Sequence, residues 1–88
     1  MKVKDELIIA NIDDGFVAVD SDTTENRFNG MIKLNETAKY ILEKLQKDIS
    51  YEDLLKDYIN EYEISEELGK KDIDIVLNKL EESKVLIK

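Results

Sequence analysis

The chain changes its hydrophobic period once, near residue 35, and that change divides it into two halves of different structure. Before it, apolar residues run in short blocks. Leu7-Ile8-Ile9-Ala10-Asn11-Ile12 and Gly15-Phe16-Val17-Ala18-Val19-Asp20 are rich in β-branched and aromatic residues, as strands favour. Asp13 and Asp14 separate them, and the Asp14-Gly15 pair predicts a hairpin with a primed turn, which needs positive φ at its centre. A polar stretch, Ser21 to Asn29, precedes a third run, Gly30-Met31-Ile32-Lys33-Leu34. Its alternation puts Ile32 and Leu34 on one face and Met31 and Lys33 on the other.

From Asn35 onward the period is about 3.6. Asn35 is a good N-cap, and Ala38, Ile41, Leu42 and Leu45 form an apolar stripe, predicting a helix over about 36–47. Ser50 opens a second helix over about 51–62, with Asp53 in the capping-box position and a stripe of Leu54, Leu55, Tyr58, Ile59 and Tyr62. A third helix over about 66–83 starts near Ser65, with Gly69 weakening its first turns. Ile73, Val76, Leu77 and Leu80 mark its core face, and Val85-Leu86-Ile87 is a short apolar end that packs back. Three strands need helices on one face, and three short helices need a sheet or each other. The expected fold class is therefore α+β: a three-stranded antiparallel sheet followed by three helices, winged-helix-like with its strands first, forming one domain over 1–88.

One position does not fit a single buried face. Ile75 lies roughly 160° around the third helix from Ile73, Leu77 and Leu80, so one core cannot bury both sides. Leu68 falls beside it on the wheel, on the side that also holds Asp72 and Lys79. Two apolar residues a heptad apart mark either a second contact face or chance near a frayed helix start.

Composition narrows the chemistry. In 88 residues there is neither Cys nor His, so no disulfide framework, thiolate site, imidazole base or imidazole ligand is available. A domain this small buries only roughly 60–65% of its unfolded surface and has little apolar material to spare for a deep cofactor cavity. No catalytic residues, no metal ligands and no cofactor are expected, and the chain is read as a non-enzyme. No apolar stretch is long enough for a signal peptide or a membrane span, so a cytoplasmic location is the expectation. Thirteen basic and 21 acidic residues give a net charge of −8. Such a surface repels phosphate backbones and anionic lipid, so neither nucleic acid nor membrane is expected as a partner, and a basic complement is.

The remaining motifs read as ordinary surface. Asp20-Ser21-Asp22-Thr23-Thr24-Glu25 begins like a calcium loop but carries Glu25 at the sixth position and Met31 at the twelfth, where Gly and Glu are required. Glu43 with Lys47, and Glu52 with Lys56, are i,i+4 pairs that need no catalytic role. The last two helices have the order of a helix-turn-helix, but 66–83 holds six acids against three lysines, the wrong bias for a major groove.

At the strand–helix junction, Gly30-Met31-Ile32-Lys33-Leu34-Asn35-Glu36-Thr37-Ala38 resembles the signature of the PqqD family: a short strand ending in Leu-Asn, then Glu-Thr-Ala opening the first helix. Ile41 to Leu45, Ser50 to Leu55, Tyr62, Asp72-Ile73, Val76-Leu77, Leu80 and Val85 to Ile87 follow in the family's order. The resemblance implies a RiPP recognition element, which binds the leader segment of a ribosomally made precursor peptide. Such a domain presents the leader to a maturation enzyme of radical-SAM, cyclodehydratase or leader-peptidase type. The leader would add as a strand along the third strand and lie against the third helix. The implied peptide-binding residues are Asn29, Gly30, Met31, Ile32, Lys33, Leu34, Asp72, Ile75, Val76 and Lys79. The alternatives are a winged-helix transcriptional regulator and a protein–protein adaptor without such a precursor.

Overall fold

The structure, a computed structural model, describes residues 1–21 and 31–88. Its elements are β1 (Lys2–Val3), β2 (Leu7–Ile12), β3 (Gly15–Asp20), β4 (Met31–Leu34), α1 (Glu36–Lys44), α2 (Tyr51–Tyr62), α3 (Glu66–Glu82) and β5 (Leu86–Ile87). The chain is α+β: β2, β3 and β4 form an antiparallel sheet in that order, and three helices follow. Two further strands, β1 and β5, pair antiparallel as a separate small sheet.

The β2–β3 hairpin closes on the pair Ile12–Gly15, so Asp13-Asp14 is the turn between the two runs, within the strand bounds expected from the sequence. Neither aspartate has positive φ; the left-handed freedom is used one residue later, by Gly15 at φ +151°. A Cβ there would also meet the Leu34 carbonyl oxygen at 3.5 Å, so backbone conformation is what demands glycine. Strand parity then sorts the side chains. Leu7, Ile9, Ala18, Ile32 and Leu34 face the helices and belong to the core or pack on it, whereas Ile8 and Ile12 of the opposite face are exposed.

Each helix begins as its capping residue dictates. Asn35, Ser50 and Ser65 each lie in extended backbone, and their side chains accept from the amides of Ala38, Asp53 and Leu68. The end of α1 differs from the expected residue 47: it stops at Lys44. The Leu45 amide is shared between the Ile41 and Leu42 carbonyls at 3.1 Å each, the tightening of a last turn. The Leu45 carbonyl, which a continuing helix would give to the Ile49 amide, instead accepts from Val3 at 2.9 Å, and Ile49 donates to Met1. Capture by the N-terminal segment ends the helix. α2 and α3 are followed by the left-handed residues Glu63 (φ 52°) and Lys84 (φ 60°).

The core lies between the sheet and the helices, built on Ile41, Leu42, Leu45, Leu54, Tyr58, Ile73 and Leu80, all nearly inaccessible. Gly69 has a packing role: a Cβ at that position would stand 2.5 Å from Ile59 Cγ2 and 3.1 Å from Leu55 Cδ1. The helix propensity lost at Gly69 is exchanged for a close approach of α3 to α2. Two phenols tie the same helices, Tyr58 to Asp72 at 3.0 Å and Tyr51 to Asp74 at 2.9 Å. These contacts hold α3 against α2.

Burial, aided by Asp72 and opposed by a hydrogen bond from Thr37, pushes the Tyr58 hydroxyl up to about 12; burial and Asp74 do the same for Tyr51. The ordinary value is 10.0. With the folded value the higher, the stabilisation is fully present below pH 10 and is lost as pH rises from 10 through 12. Tyrosinate absorbance of the native protein is expected to lag that of the unfolded chain over this range, with the urea midpoint falling in step. Superimposable titrations would mean that these phenols do not hold α2 to α3.

The strand faces give a second expectation. Leu34 is 4% exposed and Lys33 points to water. Leu34→Ala is expected to cost ~2–5 kcal/mol, lowering Tm by roughly 10 °C or more, while Lys33→Ala stays within ~0.5 kcal/mol of the parent. Thermal unfolding followed by circular dichroism measures both.

Candidate functional site

Register decides which backbone groups of β4 are free. A turn of two residues can be closed only if Ile12 and Gly15 exchange both of their backbone hydrogen bonds. Antiparallel pairs then alternate, so Val17 and Val19 also spend their amides and carbonyls on β2. Phe16 and Ala18 are left to bond β4, and their partners are Leu34 and Ile32. The amides and carbonyls of Met31 and Lys33 therefore point the other way, toward an edge that no described strand covers.

Beside this edge runs α3. Between the two lies a cleft of about 110 Å³, lined by Ile32, Lys33, Leu34, Asn35, Ala38, Ile75, Val76, Lys79 and Leu80. Leu80, 1% exposed, forms its floor, and Val76 is half-buried. Ile75 stands on the rim with 50% of its surface in water, separated from the buried side of α3 as its position on the wheel requires. The cleft thus offers main-chain donors and acceptors that are unpaired among the described residues along one wall, and apolar side chains along the other.

Of the residues implied from the sequence, Ile32, Lys33, Leu34, Ile75, Val76 and Lys79 come together in this cleft. Met31 contributes edge backbone. Asn29 and Gly30 lie outside the described residues. Asp72 is not part of the lining; its carboxylate accepts from Tyr58. Leu68, 45% exposed, does not line the cleft either, so the second apolar face of α3 narrows to Ile75. Asn35, Ala38 and Leu80 were not anticipated in the site. Ala38 had a signal in the sequence: it is the small residue of the α1 stripe, and a smaller side chain leaves room where its neighbours fill it.

Other depressions are built differently. A broader depression of about 520 Å³ lies between α2 and the start of α3, lined by Tyr51, Glu52, Leu55, Lys56, Ile59, Glu66 and Lys70, with helical backbone on both sides. Among the described residues, no group of three or more acidic side chains is placed to hold a metal ion. No helix among them is long and apolar enough to cross a membrane.

No curated protein and no solved structure matches this chain. The family described as coenzyme PQQ synthesis protein D (PqqD) matches residues 6–86. That span runs from the start of β2 into β5 and includes the whole Leu34–Ala38 junction, the β4 edge and α3. The chain belongs to the PqqD family.

Proposed function

We propose that this protein is a non-catalytic adaptor that binds the leader segment of a ribosomally synthesised precursor peptide and presents it to a maturation enzyme. The observation that carries the reading is the cleft between the unpaired edge of β4 and α3, with Ile75 half-exposed on its rim. Strand addition at such an edge takes affinity from main-chain hydrogen bonds and specificity from alternate side chains seated in pockets. Membership of the PqqD family supports the same reading. The enzyme served is of radical-SAM, cyclodehydratase or leader-peptidase type, and it supplies the chemistry. This chain contributes binding and orientation.

The magnitudes fit a moderate complex. Ordering a disordered peptide costs ~2–5 kcal/mol, and each apolar anchor returns ~1.5–3 kcal/mol. Two or three anchors are enough, and a four-residue edge backed by one groove has room for few more.

The test takes the strongest binder from a library of random dodecapeptides displayed on phage and titrates it by calorimetry. Ile75→Glu is expected to leave Tm within about 2–4 °C of the parent, because surface changes cost under ~0.5 kcal/mol. Affinity is expected to fall by ~1.5 kcal/mol or more, about tenfold. Lys33→Pro removes an amide that points to the free edge and is expected to weaken binding too, whereas Ile32→Pro breaks a bond to β3 and lowers stability. Undiminished affinity in folded Ile75→Glu and Lys33→Pro proteins would rule out strand addition at β4.

A further inference from the structure

The residues that line the cleft include Lys33 and Lys79 and no carboxylate, on a chain whose net charge is −8. Neither ammonium is firmly engaged. Lys33 Nζ stands 3.8 Å from Asp14 Oδ2, with both side chains more than two-thirds in water, a pairing of little strength. Lys79 makes no ion pair among the described residues. At the Leu34 end the cleft opens into a depression of about 500 Å³ that both lysines also line, with Asp14 and Glu36 there as well.

The two lysines flank the edge from opposite faces. Lys33 alternates with Ile32 and Leu34, which face the helices, so its own side chain lies on the outer face of the sheet. Lys79 belongs to α3, on the inner side. A strand added along β4 turns successive side chains to these two faces in turn. As it passes Lys33, one side chain stands directly beside that ammonium, and its neighbour in sequence points toward α3 and Lys79. Opposite charges at such cross-strand positions attract, and like charges repel.

We infer that the peptide accepted at this edge carries acidic residues at two successive positions where it passes Lys33, one carboxylate meeting Lys33 and the next meeting Lys79. The inference rests on the strand-addition reading given above and adds the charge and register of the ligand to it. It also divides the electrostatics of the molecule: the segment in the cleft is acidic, and the basic complement expected from the net charge belongs to whatever approaches the remaining surface.

The experiment is the same phage-displayed library of random dodecapeptides, panned in parallel on the wild type, Lys33→Glu and Lys79→Glu, each checked for an unchanged Tm. The wild-type pool is expected to combine alternating apolar positions with two adjacent Asp or Glu. Lys33→Glu is expected to convert one of those positions to Lys or Arg, and Lys79→Glu its neighbour, with the apolar spacing kept in both. Replacing either acid of the best wild-type binder by its amide is expected to weaken it about two- to five-fold. An apolar pattern enriched without an acidic preference, or with one that neither charge reversal alters, overturns the inference while leaving peptide binding in place. Pools without a common pattern overturn both.

Discussion

Leu34 joins the two layers of this protein. Its backbone bonds to Phe16 and completes the sheet, its side chain is buried among the helices, and the residue after it, Asn35, caps α1. Sheet and helical layer are therefore placed relative to each other by one peptide unit rather than by a loop with freedom of its own. The cleft depends on that rigidity. Its edge wall is β4 and its far wall is α3, and Leu34 from the one and Leu80 from the other belong to the same buried core.

α3 is held from its other side by contacts of a different kind. Gly69 lets it approach α2 closely, and the phenols of Tyr51 and Tyr58 reach across to Asp74 and Asp72. Those two aspartates flank Ile73 in sequence, so the hydrogen bonds and the fully buried isoleucine pin the same turn of helix. Ile75, two residues on, is left facing outward. Its exposure follows from the burial of Ile73, roughly 160° away around the helix, which gives the half-bare isoleucine a structural cause independent of any ligand.

How far the sequence could be read depended on how many residues repeated each signal. Three strands and three helices announced themselves through blocks or stripes of three to five apolar positions, and the caps through single well-placed Asn and Ser residues. β1 and β5 are two residues each, too short for any period to show. The early end of α1 was invisible because its cause, the Val3 amide taking the Leu45 carbonyl, comes from a segment more than forty residues away. The hairpin and the bounds of its strands were legible, but not the backbone of its turn: the Asp-Gly pair signals positive φ at the turn centre, whereas that φ falls on Gly15 at the strand start. In the candidate site, Ile75 could be singled out by angle alone. Asp72 shares its side of the wheel, and only the position of Tyr58 on α2 reveals that it is occupied elsewhere.

An uncovered strand edge is indifferent to what pairs with it, and a second copy of the same domain offers the same unpaired groups. Here the edge is four residues long, and its one charged side chain, Lys33, points to solvent beside it. Two molecules meeting edge to edge would set their Lys33 residues near one another and bring together two bodies each carrying −8. Shortness, the lysine and the net charge all work against pairing of two copies through β4.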